Sequence, residues 1–254
     1  MAFDPGPPPR FADLFGRMPD LSPIRDALWF DWGPIFYRGR LDGSARVVCI
    51  ASDPGPTERI AGRTLVGDAG QRVQGFLRKL GLSRSYLCLN AFPYALFPGR
   101  AHDAPELLAH PSFARWRSEL YDAAADSVSE VIAFGHVAAS AMDAWPGAAR
   151  VRVTRIPHPS SRDETALTTA WRHAIRDLRT RVVPDPGTRR AANYGAAFVE
   201  RDYARIPSAD LPYGVPPWLG DDAWRRAGSP RRNNSVRRPN PDDRHTLIWT
   251  APTT

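Results

Sequence analysis

The chain has 254 residues, 43% of them hydrophobic, which suits one large α/β domain plus a tail, or two small domains. No apolar run approaches the length of a bilayer span, and the Pro-rich residues 1–10 lack the apolar stretch of a signal peptide, so a soluble, cytoplasmic protein is expected. Net charge is +7, from 34 basic and 27 acidic residues, which favours polyanionic partners; Cys49 and Cys88 are too few for an iron–sulfur cluster, no Cys/His spacing suits zinc, and neither metal nor cofactor is expected.

Residues 11–43 mix apolar and aromatic residues at irregular helical spacing, read as one or two helices and a turn beside the main domain. Residues 46–51, Arg-Val-Val-Cys-Ile-Ala, end at Asp53-Pro54-Gly55-Pro56, the pattern of a buried strand stopped by a turn. Residues 68–80 place Val73, Phe76, Leu77 and Leu80 on one helical face, and Gly81 closes that helix. A second strand follows at 86–90, a helix at 113–125, a third strand at 130–135 and a short helix at 136–145. The fourth strand, 151–156, is stopped by Pro157, and the last clear helix is 165–183. This alternation predicts a three-layer α/β/α domain over residues 1–183, built on a central four-stranded parallel sheet with right-handed crossovers.

Residues 184–254 form a Pro/Arg-rich C-terminal extension in which periodic apolar faces disappear. Its pairs Arg225-Arg226, Arg231-Arg232 and Arg237-Arg238 read either as a solvated, disordered tail or as an arm for DNA phosphates. Prolines and aromatics over 207–224 suggest that part of the extension docks on the body.

Parallel α/β sheets bind ligands outside the carboxyl ends of their strands. The four predicted strands end at Ser52-Asp53, at Asn90, at Gly135-His136 and at His158-Pro159-Ser160-Ser161. Asp53, Asn90 and His158 therefore share one rim, where a carboxylate, an amide and an imidazole can read a polar heterocycle and stabilise charge developing on it. Taken singly each residue has a plainer explanation: a turn former, a strand-end cap, a satisfied core histidine.

In order along the chain, Ile50-Ala-Ser-Asp-Pro-Gly-Pro56, Gly62-Arg63-Thr64-Leu65-Val66-Gly67-Asp68-Ala69-Gly70, Leu89-Asn90 and Pro157-His158-Pro159-Ser160-Ser161 resemble the uracil-DNA glycosylase superfamily over roughly residues 46–180. The segment 62–70 is similar to the class that carries an iron–sulfur cluster. Asp53 is similar to the class with a catalytic aspartate, and His158-Pro-Ser-x-Arg162 to the single-strand-selective class. The resemblance implies that Asp53 activates the attacking water and stabilises the cationic sugar. It implies that Ser52, Asp53 and Gly55 hold the base through the backbone, that Leu65 flanks it and that Asn90 reads its edge. His158 would donate to the base oxygen that becomes anionic. Pro54, Pro56, Arg63, Ser160, Ser161 and Arg162 would contact DNA. The chain departs from the family at Leu65, where an aromatic usually stacks on the base, leaving Phe92 or another aromatic for that role. It departs again at Gly55, where the aspartate class has a tyrosine that excludes thymine.

Lys79, the only lysine, lies on the helix between the first two strands, far along the chain from the rim. A glycosylase that also cuts the backbone generally needs an amine nucleophile, so a monofunctional hydrolase that leaves an abasic site is expected. The partner would be uracil-containing DNA, met by a monomer. Two further readings stand beside this one: a glycosylase for hypoxanthine or xanthine, and a catalytically weak binder of damaged or abasic DNA.

Overall fold

Short runs of β-branched and aliphatic residues, too brief for helices, build the centre of the molecule. The computed structural model describes residues 3–97, 99–215, 236–237 and 248–249. Four parallel strands occur as the sequence predicts: β2 (Val47–Ala51), β3 (Tyr86–Asn90), β4 (Glu130–Phe134) and β5 (Arg152–Ile156). The sheet has a fifth strand, however, β1 (Tyr37–Gly39), which runs antiparallel to β3 with Arg38 opposite Cys88. The strand order is β1-β3-β2-β4-β5, so the central sheet is five-stranded and mostly parallel, not four-stranded. The N-terminal reading needs a further correction. Only α1 (Pro9–Gly16) is an α-helix there; the rest of residues 11–43 holds two 3-10 turns, β1 and the strand pair Leu28–Trp29 with Ala95–Leu96.

Side chains alternate across the sheet as period two requires. Val48, Ile50, Leu87, Leu89, Val131 and Ala133 face one helix layer, containing α1, α5 (Pro111–Ala125) and α6 (Gly135–Asp143). Val47, Cys49, Tyr86, Cys88, Ile132 and Phe134 face the other, containing α3 (Asp68–Leu80) and α7 (Glu164–Leu178). On that side Phe76, Phe134 and Trp171 meet edge to face at 5.3–5.8 Å. Each such pair adds about 0.5–1.5 kcal/mol beyond area burial. Gly81 closes α3 in the left-handed conformation, φ 80°, as its place in the sequence predicts.

Residues 184–215 pack into the body. Lys79 Nζ lies 2.6 Å from Asp202 Oδ1, both buried. Arg38, with no exposed surface, pairs with Asp210 at 2.9 Å, and the Tyr86 hydroxyl donates to the same carboxylate. Asp185 accepts backbone N–H groups from Ser83, Arg84 and Ser85. Ile206 and Leu211 close over Ala61 and Val66, behind a loop that lines the main cavity. Of the arginine pairs in the extension, only Arg237 is described; it lies in the two-residue strand Val236–Arg237, and the others fall outside the described residues. Among the described residues no helix is long and apolar enough to cross a membrane.

Candidate active site

The carboxyl ends of β2, β3, β4 and β5 open into one cavity of about 700 Å³. Asp53, Asn90 and His158 all line it, together with Ser52, Pro54, Gly55, Pro56, Leu65, Ser160 and Ser161. Arg162 is exposed beside that lining and forms no part of it. Arg63 is directed elsewhere: its guanidinium pairs with Asp4 at 2.7 Å and sits over the Tyr37 ring.

Asp53 follows β2 directly, and both its oxygens are engaged. Oδ1 accepts from the Ser52 hydroxyl at 2.7 Å, and Oδ2 accepts from the Leu96 amide at 2.9 Å. Leu96 is itself paired with Leu28, so the short N-terminal strand pair fixes the carboxylate's orientation.

His158 follows β5 by two residues. Its Nδ1 accepts from the Ser160 amide at 3.2 Å, which assigns the proton of the neutral ring to Nε2. Burial pushes its pKa below the ordinary histidine value; Asp53 pulls the other way, and His136 adds to the lowering. The ring packs against Gly135, where an added Cβ would fall 2.8 Å from the His158 Cβ and where φ is +88°. Glycine is therefore required at this strand end. The loop is held from behind by Trp171 Nε1 donating to the Pro157 carbonyl at 2.9 Å and Arg72 donating to the Pro159 carbonyl at 3.2 Å. Asp163 then caps α7 by accepting from the Ala166 amide.

Asn90, the last residue of β3, is only 7% exposed, and its side-chain Nδ2 has no hydrogen-bond partner among the described residues. An unpaired buried donor costs about 1–3 kcal/mol, so this amide is poised for a ligand that supplies an acceptor.

Leu65 lies in the lining with φ +55°, the one described non-glycine residue at positive φ. The close approach of Gly70 accompanies this conformation, since a Cβ there would fall 1.8 Å from the Leu65 carbonyl oxygen. Phe92 does not reach the cavity; it is fully buried and stacked on Phe113. The aromatic that lines it is Phe134.

Among the lining residues to which the sequence reading gave no role are Glu58, Phe134 and His136, the last of them named there only as a strand end. Glu58 had a local signal. It is the third residue of α2 (Pro56–Ala61), where a glutamate reaches back to the cap amide. Its Oε2 accepts from Gly55 N at 3.0 Å, while Oε1 accepts from Val66 N at 2.8 Å and Gly67 N at 3.0 Å. One buried carboxylate thus ties together the two loops that carry Asp53 and Leu65. His136 had the strand-end rule in its favour.

Fold and site together define an α/β protein whose mostly parallel sheet opens at its carboxyl ends into one cavity, with a carboxylate, an amide with an unpaired donor and an imidazole around it. Its kind follows from comparison: the model of the family described as Uracil DNA glycosylase superfamily matches residues 38–179, more than half of the chain. The chain belongs to the uracil DNA glycosylase superfamily, which supports a DNA-glycosylase kind of function and a DNA substrate. No curated protein matches the chain. Residues present do not fit an iron–sulfur cluster: Cys49 and Cys88 are buried side by side on β2 and β3. Nor, among the described residues, does any group of three or more His, Cys, Asp or Glu suit a metal ion.

Proposed function

We propose that the protein hydrolyses the N-glycosidic bond of uracil in DNA and leaves an abasic site. The observation that carries this reading is the unpaired Asn90 amide, buried in the cavity that Asp53 and His158 share. Breaking the bond makes an oxocarbenium-like sugar and an anionic base. A carboxylate on the sugar side and an N–H donor on the base side stabilise both charges at once. Asp53, held by Ser52 and Leu96, supplies the first and orients the attacking water. His158, neutral with its proton on Nε2, supplies the second. Asn90 offers the donor that a uracil carbonyl accepts, and its own oxygen accepts from the uracil N–H. Ser160, Ser161 and Arg162, at the cavity's edge, would meet the DNA from which the base is extruded.

The reaction stops at the abasic site in this reading, because the only lysine cannot reach the sugar. Lys79 is buried against Asp202 at the far end of α3, about 16 Å of helix rise from the rim end of that helix. A second reading, excision of a deaminated purine, is favoured by the cavity itself. About 700 Å³, with Gly55 rather than a bulky side chain in the lining, leaves room for two fused rings. Incubation with oligonucleotides that hold uracil, hypoxanthine or an abasic site, followed by alkali, separates these. Strand cleavage with uracil alone supports the proposal, and cleavage with hypoxanthine supports the second reading. Cleavage before alkali refutes the monofunctional assignment, and binding without any cleavage refutes both. The reading also takes the chain to be a cytoplasmic monomer, which light scattering at assay concentration tests for the oligomeric state.

A further inference from the structure

Pro157 and Pro159 have no amide hydrogen, so their carbonyls are the backbone groups by which these residues, one on each side of His158, can be held. Both carbonyls are engaged from the same helix layer, that of α3 and α7. Trp171 Nε1 donates to the first at 2.9 Å and Arg72 Nη1 to the second at 3.2 Å. Neither donor lines the cavity.

What holds these two donors comes from beyond residue 179, where the match to the family ends. The Arg72 guanidinium sits over two rings, 4.5 Å from the centroid of Phe198 and 5.4 Å from that of Tyr203. The two rings meet edge to face at 5.1 Å. Arg72 Nε also donates to the Tyr203 hydroxyl at 3.0 Å. Phe198 reaches Trp171 as well, edge to face at 6.4 Å. Tyr194, stacked on Phe198 at 5.6 Å, meets Trp171 at 5.8 Å. The aromatic row is itself anchored on α3. Lys79 pairs with Asp202 and lies over the Tyr194 ring at 4.4 Å. A Cβ at Gly75 would fall 1.7 Å from the Asp202 carbonyl oxygen, so α3 carries a glycine where this segment crosses it.

We infer that Phe198 and Tyr203 are positioning residues for His158: with Tyr194 they form an aromatic clamp that fixes Arg72 and Trp171, and through them the backbone on both sides of the imidazole. An arginine side chain has many rotamers; two rings and a hydroxyl hold this one where Nη1 meets the Pro159 carbonyl. The clamp lines no part of the cavity, so it acts on the orientation of His158 and not on substrate. The inference rests on the DNA-glycosylase reading of the site.

A rate cycle tests it. Single-turnover excision is measured for the wild type, Phe198→Leu, Phe198→Tyr and Tyr203→Phe, each with His158 intact and with His158→Ala. Fluorescence anisotropy gives Kd for an oligonucleotide with a tetrahydrofuran abasic analogue. Phe198→Leu keeps apolar bulk but loses the π face, and should slow excision about tenfold with Kd unchanged. Phe198→Tyr keeps the face and should recover most of that rate. Tyr203→Phe loses only the hydroxyl and should slow excision about threefold; it carries the test if Phe198→Leu fails to fold. Both losses should disappear in the His158→Ala background, because the clamp acts through that ring. Equal losses in both backgrounds would show a general structural role and overturn the assignment, as would wild-type rates in Phe198→Leu and Tyr203→Phe. The cycle runs on whichever base the wild type excises, so failure of the uracil reading leaves it standing. If no base is excised, amide hydrogen exchange in the free protein decides: the His158, Ser160 and Ser161 amides should exchange faster in Phe198→Leu and Tyr203→Phe, and unchanged protection sinks the clamp.

Discussion

Glu58→Gln is a stringent test of how the site is assembled. Glu58 is 8% exposed and accepts three backbone N–H groups, one through Oε2 and two through Oε1. Glutamine keeps one acceptor oxygen and replaces the other with an NH₂ group that cannot accept. If the retained oxygen stays on Val66 and Gly67, the Gly55 amide faces a second donor. The cost is one hydrogen bond to a charged acceptor, about 1.5–3 kcal/mol, and the charge assistance on the other two is also lost. At about 2–4 °C per kcal/mol for a domain of this size, thermal unfolding monitored by circular dichroism should shift down by about 3–12 °C. The loop released is the one that carries Asp53, so single-turnover uracil excision should slow by more than the stability change explains, about tenfold or more at a temperature where the variant is fully folded. Wild-type unfolding and a wild-type excision rate in Glu58→Gln would refute the idea that this carboxylate joins the two loops.

Three other outcomes are expected. Asp53→Asn and His158→Ala should each lower single-turnover excision about a hundredfold or more with unfolding temperature nearly unchanged, as loss of a preorganised electrostatic partner does; near-wild-type rates in either would overturn its role. Because burial lowers the His158 pKa below 6.5, the neutral donor persists into acid, so the limb of the excision rate due to this residue should lie below pH 6.5. The unfolded chain binds that proton first, so the stability linked to His158 is fully present above pH 6.5 and is lost as pH falls through the lowered value; an acid limb centred above 6.5 that vanishes in His158→Gln would contradict this. Asp210→Ala leaves the fully buried Arg38 without its carboxylate, at about 3–5 kcal/mol, and should lower the unfolding temperature by roughly 6–20 °C; an unchanged value would show the extension to be dispensable.

Much of the site was legible because it obeys local rules. A strand must end where Asp53-Pro54-Gly55-Pro56 begins, and a parallel sheet brings such ends together, so Asp53, Asn90 and His158 could be placed on one rim without coordinates. The α3 helix was legible in the spacing of Val73, Phe76, Leu77 and Leu80, all fully buried, and in Gly81. β1 was not, because it is three residues long and centred on an arginine. Arg38, on this edge strand, can be fully buried because Asp210, distant by 172 positions, closes over it. Docking of the extension was legible only as a suggestion, from the prolines and aromatics over 207–224; the contacts that hold residues 184–215 were not, because they join positions far apart in sequence, Lys79 with Asp202 among them. Neither partner's neighbours in sequence announce the pair. A motif position does not fix where a long side chain points: Arg63, read as a DNA contact, is held here by Asp4 and lies outside the cavity lining.

The two charged roles at the site are prepared by different means, and this bears on where substitutions can impair it. His158 is neutral because of burial in a loop held by Trp171 and Arg72, so its state depends on packing from α3 and α7. Asp53 depends instead on hydrogen bonds, and the one from Leu96 traces back through its pairing to Leu28. Leu28 lies outside the span that matches the family, 38–179. The residues that orient the carboxylate therefore extend beyond those that define the family. Trp29, buried and in edge contact with Phe97, packs beside that pair and lines no part of the cavity. Substitutions there touch no substrate, yet they act on the Leu96 amide and through it on the geometry of Asp53. A loss of excision rate without a loss of DNA affinity is the pattern this arrangement requires of them.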